Sequence, residues 1–152
     1  MYYYEKTILT CYKSITPITN QLENLIVKKA KNSFYDYTPC INLAENILKL
    51  VNARLDLLEL KFLTEEGIKK LNEEDKILIE YKYFKIIPEF EIDTTSRKYF
   101  RHQVRALKRF GDAIRSLGVS EEYFKNKYLN INYINNVYKK IIKLDGKKLT
   151  SI

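Results

Sequence analysis

Residues 96–110 have the sequence Ser-Arg-Lys-Tyr-Phe-Arg-His-Gln-Val-Arg-Ala-Leu-Lys-Arg-Phe, with six Lys and Arg residues and no acidic one. Ser96 is a residue type favoured at helix N-termini, and residues 97–110 contain neither Gly nor Pro, so the stretch predicts an α-helix. At about 100° per residue, the apolar side chains fall on one side and most basic side chains on the other. The stretch therefore predicts one buried face and one face that meets an anion. The apolar side would carry Phe100, Leu107, Phe110 and Ile114, and the basic side Lys98, Arg101, His102, Arg105 and Arg109.

Like charges recur every four residues along this helix, at Arg97, Arg101, Arg105 and Arg109. Such pairs repel by about 0.2–0.5 kcal/mol each, so a helix that keeps them uses the charge, most often to bind phosphate. The charge of the whole chain is also uneven. Residues 94–152 carry 14 Lys and Arg against 4 Asp and Glu, whereas residues 1–93 carry 13 against 15. The alternative is that the basic part is only a solubilising surface.

The composition predicts an all-α protein. The 152 residues include only four Gly and three Pro, and no alternating apolar run lies between hairpin turns. The apolar runs are far shorter than the ~18–20 residues of a membrane span, and the N-terminus lacks the layout of a signal peptide, so we expect a cytoplasmic protein without membrane contact. Cys11 and Cys40 form no CxxC motif and predict reduced core thiols.

Two apolar stripes predict an antiparallel helical hairpin as an N-terminal domain of residues 1–68. Their spacings alternate between 3 and 4 residues, as in helices that pack lengthwise. Pro17 should kink or break the first helix around residues 13–16. The stripes would form the core of the hairpin; alternatively, this seam or a second face (Ile26, Ile47, Leu50, Leu57) would make a homodimer or dock a partner. The first stripe is Tyr4, Ile8, Cys11, Ile15, Ile18, Leu22 and Leu25, and the second is Ala44, Leu48, Val51, Leu55, Leu58 and Phe62.

Several more helices are predicted in a C-terminal domain of residues 69–152. Asn72 supplies an N-cap for a helix that ends before Pro88, and Ser120 supplies one for a later helix. The last helix is expected at residues 132–144. Gly111 should end or soften the basic helix one residue later.

Residues 71–84 have the sequence LNEEDKILIEYKYF, and the basic helix opens with Ser96 and continues as RALKRF at 105–110. These motifs resemble region 4 of sigma-70-type factors and the phage regulators that share its helix-turn-helix, over about residues 70–112. The family has a further helix and a Gly turn between them, whereas residues 85–95 are shorter and lack Gly, with Glu91-Ile92 as the remnant. The resemblance implies a sequence-specific DNA-binding transcriptional regulator of phage or low-GC bacterial origin, with RNA polymerase as a possible partner.

Nine residues are expected to contact duplex DNA. The first three would offer hydroxyl and N–H groups to a phosphate at the helix N-terminus, the next four would reach base edges or phosphates in the major groove, and the last two would hold the DNA backbone. In that order they are Thr94, Thr95 and Ser96, then Lys98, Arg101, His102 and Arg105, then Lys108 and Arg109.

Catalytic chemistry has little support in the sequence. The single histidine, His102, has no Ser, Cys or carboxylate near it in sequence, and the four Gly residues form no phosphate-binding loop. We therefore expect no enzyme activity, no cofactor and no bound metal. The chief alternative to the DNA-binding interpretation is a non-catalytic adaptor, in which a degenerate helix-turn-helix binds RNA polymerase or another protein.

Overall fold

A computed structural model describes residues 3–32 and 40–150, with side-chain surroundings for 3–31 and 42–146. No strand occurs within these ranges, so the all-α prediction is confirmed. None of the helices described there is long and apolar enough to cross a membrane. The helices are α1 Tyr3–Asn32, α2 Cys40–Lys69, α3 Glu73–Phe84, α4 Arg97–Ser116, α5 Glu121–Lys127 and α6 Asn132–Thr150.

Side-chain caps begin three of these helices, as predicted. The amide of Asp75 donates to the side-chain oxygen of Asn72 at 2.8 Å. The hydroxyls of Ser96 and Ser120 each accept a hydrogen bond at 3.1 Å from the amide three residues later. These bonds satisfy amides that have no partner inside the first turn, so they fix where α3, α4 and α5 begin.

Helix α1 continues through Pro17 to Asn32, so it does not break there, and the kink stays a prediction. Proline removes one backbone hydrogen bond and crowds the preceding turn. Ile15 and Thr19, on either side of it, are both buried. Tertiary packing on both sides of the proline therefore holds the helix together.

The predicted end of α4 at Gly111 is also wrong, since the helix continues to Ser116. Gly111 is buried where the side chain of Glu5 lies against α4, so this glycine permits close packing. Gly118, two residues beyond the end of the helix, has a positive φ of 96°, which suits a residue without a Cβ atom.

The described chain forms two compact units: residues 3–13 with 62–150, and residues 14–32 with 40–61. This division differs from the boundary between residues 68 and 69 expected from the sequence. In the first unit, the buried ring of Tyr4 on α1 lies 5.6 Å from that of Phe124 on α5. Cys11 is also buried there, as predicted, and burial raises the pKa of its thiol to about 12. The side chain of Cys40 lies outside the described residues.

In the second unit, Ile15 of α1 and Leu57 and Leu60 of α2 are buried. Arg54 of α2 also pairs with Glu23 of α1 at 3.6 Å. The antiparallel hairpin itself stays a prediction.

The prediction that the apolar stripe on α2 is buried is wrong. Leu48, Leu55 and Phe62 are 58%, 54% and 59% exposed. Leu57, which belongs to the second face recognised in the sequence, is fully buried instead. Spacing alone identified two apolar faces on this helix, and contact with α1 selects one of them.

Candidate nucleic-acid interface

Two polar contacts, each with a buried side chain, hold helix α4 on α3. The buried side-chain amide of Gln103 donates to the carbonyl oxygen of Leu78 on α3 at 2.9 Å and to the hydroxyl of Tyr99 at 3.1 Å. Between one and two turns further along, Arg109 donates to the carboxylate of Asp75 at 2.7 Å. Together these contacts limit the rotation of α4 about its own axis and decide which side chains face solvent.

The buried face of α4 includes Leu107, Phe110 and Ile114, as predicted, but it is rotated away from the predicted Phe100. Phe100 and Val104 are 58% and 60% exposed, so the prediction of Phe100 in the core is wrong. Beside the large apolar residues, the buried face includes small residues and a hydrogen-bonded Gln, which let neighbouring helices come close and which a count of hydrophobic residues does not detect. The buried side chains and backbone positions are Gln103, Ala106, Leu107, Phe110, Gly111, Ala113 and Ile114.

Five exposed cations occupy the solvent side of α4 and are here called the basic face. Within the described ranges, no carboxylate forms an ion pair with any of them. From first to last they extend over about 16 Å of helix at 1.5 Å per residue. Positive charge on this side of the helix is therefore not neutralised within the described chain. The members of the basic face are Arg97, Lys98, Arg101, Arg105 and Lys108.

Two of the nine predicted contact residues point to α3 instead. His102 Nδ1 lies 3.2 Å from the carboxylate of Glu74, and Arg109 pairs with Asp75, which is 3% exposed. Both side chains thus have intramolecular partners that compete with any phosphate. Arg97 belongs to the basic face but was not among the nine predicted residues. The only sign of its role in the sequence is that it is the first of the Arg residues that recur every four positions.

The N-terminus of α4 already holds a carboxylate. Both the amide and the hydroxyl of Thr95 donate to Asp93, at 3.0 and 2.6 Å, and the hydroxyl of Ser96 donates to the backbone carbonyl of Asp93 at 3.1 Å. The hydrogen bonds from the Thr95 hydroxyl and amide lower the pKa of the Asp93 carboxyl. The Asp93 carboxylate thus occupies Thr95, and the Asp93 backbone occupies the hydroxyl of Ser96, two of the three groups expected to bind phosphate.

Residues 85–96 connect α3 to α4 and contain no helix. The connector exposes Ile86, Ile87 and Phe90. A groove of about 350 Å³ at its start is lined by Lys82 and Lys85 as well as Tyr99 of α4. These two exposed lysines add positive charge beside α4. They were not among the residues expected from the sequence to contact DNA, because they lie in the last turn of α3 and directly after it.

No three His, Cys, Asp or Glu side chains of the described chain form a group that could hold a metal ion. Comparison with known proteins found no match among protein-family models, characterised proteins or solved structures. The resemblance to sigma region 4 therefore rests on the motifs within residues 71–84 and 96–110.

Proposed function

We propose that the protein binds duplex DNA through the basic face of α4 and acts as a transcriptional regulator. The observation that carries this proposal is the set of five exposed cations on one side of a helix that α3 holds in place. The major groove is about 12 Å wide and admits an α-helix. Pairing of Lys and Arg with phosphates releases condensed counterions, which provides most of the affinity of such proteins for DNA.

The carboxylate at the start of α4 restricts how DNA can approach. Asp93 is exposed and accepts hydrogen bonds from Thr95, so a phosphate placed at the helix N-terminus would meet a like charge. We therefore propose that α4 lies along the groove with its side against the DNA. In this arrangement Arg101 and Arg105 reach base edges or phosphates, and Lys108 holds the backbone.

A salt titration on a labelled random-sequence duplex tests this proposal with the full-length protein. If all five cations neutralise phosphates, log K falls with log salt at a slope of about −4.5. The double variant Arg101→Ala/Arg105→Ala should reduce the steepness of that slope by about 1.8 and keep its helical circular dichroism, because both side chains are exposed. No binding at ~50 mM salt, or a flat salt response, would overturn the proposal.

The matched control for that double variant is Lys139→Ala/Lys140→Ala. Both lysines are exposed on α6, so the control makes the same change in net charge away from α4. The control should keep the wild-type slope. Equal losses in the two double variants would show that affinity follows net charge and not the basic face.

A homodimer is proposed through the exposed stripe of α2. Leu48 and Leu55 are more than half exposed, with Val51 and Leu58 half-buried between and beside them, at the alternating spacing of helices that pack lengthwise. A second copy would cover this face. Sedimentation should then give a dimer for the wild type and a monomer for Leu48→Glu/Leu55→Glu, and a wild-type monomer would contradict this part of the proposal.

A protein-interaction adaptor is the second candidate, favoured by the exposed apolar side chains of the connector. Ile86, Ile87 and Phe90 are 51%, 83% and 58% exposed. The resemblance to sigma region 4 makes RNA polymerase the partner to test. Capture of purified bacterial RNA polymerase, lost in Ile87→Ser/Phe90→Ser, together with no binding to DNA, would favour this function over the first.

A further inference from the structure

Two apolar side chains lie exposed beside the basic face of α4. Phe100 is 58% exposed and Val104 is 60% exposed, and they are one helical turn apart. By helical geometry, Val104 lies about 60° around the axis from Arg101 and about 20° from Arg97. The ring of Phe100 packs edge-on against that of Tyr99 with centroids 5.6 Å apart, which restricts its motion.

Cations on the same side of the helix decide which partner suits this apolar pair. An apolar protein surface that covered Phe100 and Val104 would also have to desolvate neighbouring Arg97, Arg101 and Lys108, which is costly unless each is paired. Duplex DNA offers phosphates to these cations and an apolar group in the same groove. That group is the 5-methyl of thymine, which projects from the edge of the base into the major groove.

We propose that Phe100 and Val104 contact thymine 5-methyl groups and give the protein a preference for thymine in its DNA site. This inference rests on the proposed DNA binding through the basic face. The cations would supply affinity that does not depend on sequence, whereas the apolar pair would distinguish thymine from the other bases. Neither residue belonged to the set expected from the sequence to contact DNA.

The test compares duplexes that differ only by these methyl groups. Full-length protein is titrated with an alternating A·T duplex and with the same duplex in which deoxyuridine replaces every thymidine. Burial of one CH2-sized group contributes about 0.8 kcal/mol, which is about fourfold in affinity, so two contacted methyls should make the thymidine duplex about fifteenfold tighter. The variant Phe100→Ala/Val104→Ala should bind the two duplexes within about twofold of each other.

The control variant is Leu144→Ala, which removes an apolar side chain that is 59% exposed on α6 and should keep the full discrimination. Equal binding of both duplexes by the wild type overturns this inference and leaves DNA binding intact. Discrimination that persists in Phe100→Ala/Val104→Ala overturns it as well. If neither duplex is bound, the proposed function fails, and this inference fails with it.

Discussion

The carboxylate of Glu5 on α1 lies directly against Gly111 in the middle of α4. A Cβ atom placed on residue 111 would overlap both carboxylate oxygens. Arg115, one turn further along α4, pairs with the same carboxylate and also donates to the hydroxyl of Tyr4 at 3.0 Å. The glycine inside this helix is thus the position where two helices touch.

Gly111→Ala should lower the free energy of unfolding by about 1–3 kcal/mol, because the new methyl group displaces the Glu5 carboxylate from its ion pair with Arg115. Urea denaturation measures the change. Helix propensity alone predicts the opposite sign, since Ala favours helix over Gly by about 1 kcal/mol. Gly146→Ala on α6 is the control, because its Cβ would meet nothing within 4 Å, and it should be neutral or stabilising. Stabilisation by both substitutions would contradict the contact.

Phe110→Ala and Phe100→Ala should differ in stability although they delete the same side chain from the same helix. Phe110 is fully buried, so its loss leaves a cavity and costs about 3–5 kcal/mol. Phe100 is mostly exposed, and its loss should change the free energy of unfolding by less than about 1 kcal/mol. Thermal or urea unfolding of the two variants decides whether the face of α4 is assigned correctly; similar losses would reject the assignment.

Substitution of two neighbouring cations on α4, Lys108 and Arg109, should have opposite effects: one should change DNA affinity and the other the free energy of unfolding. Arg109→Met leaves the buried carboxylate of Asp75 without its ion-pair partner and should cost about 1–3 kcal/mol in unfolding free energy, with the slope of log K against log salt unchanged. Lys108→Met should leave stability within about 0.5 kcal/mol and reduce the steepness of that slope by about 0.9. The reverse pattern would mean that Arg109, and not Lys108, contacts DNA.

Local chemistry explains what could be predicted from the sequence. The caps at Asn72, Ser96 and Ser120 depend only on residues three positions apart, and the basic side of α4 depends on helical periodicity. Periodicity also placed Leu107, Phe110 and Ile114 on the buried face of α4, but the burial of Gly111 could not be predicted in the same way. It depends on Glu5, which lies far from Gly111 in sequence.

The same limit applies to the second apolar stripe and to the start of α4. Two faces of α2 are apolar, and which of them is buried depends on its contact with α1. Asp93 accepts the hydrogen bonds that Thr95 was expected to donate to a phosphate. The residue types alone do not show that this partner is already present. The charged residues of an interface are thus readable from sequence, whereas their intramolecular partners are not.

Stability should fall at alkaline pH partly because of Tyr12. Burial and the hydrogen bond it donates to the Glu65 carboxylate at 2.7 Å raise the pKa of Tyr12 to about 12, from an ordinary value of 10.0. The folded state therefore keeps this proton longer than the unfolded state does, so its contribution is complete below pH 10 and is lost as the pH rises towards 12. In Tyr12→Phe, urea unfolding between these pH values should show a smaller decline. An unchanged decline would exclude Tyr12 as a cause. Burial also raises the pKa of Tyr83 to about 12, so Tyr83 should account for part of the decline that is left in the variant.

A fragment of residues 69–152 should fold poorly on its own, although it contains the whole basic face. Its core is completed by the start of α1, where Tyr4 packs on Phe124 and Ile8 is 1% exposed. Without these side chains the fragment would expose apolar surface, so we expect a broad, weakly cooperative thermal transition by circular dichroism and binding of a hydrophobic dye. Full-length Tyr4→Ala should show the same loss of stability in milder form, because it opens a cavity at one point only. A fragment that unfolds as cooperatively as the full chain would show that residues 3–13 are dispensable for this unit, and it would support the domain boundary between residues 68 and 69 expected from the sequence.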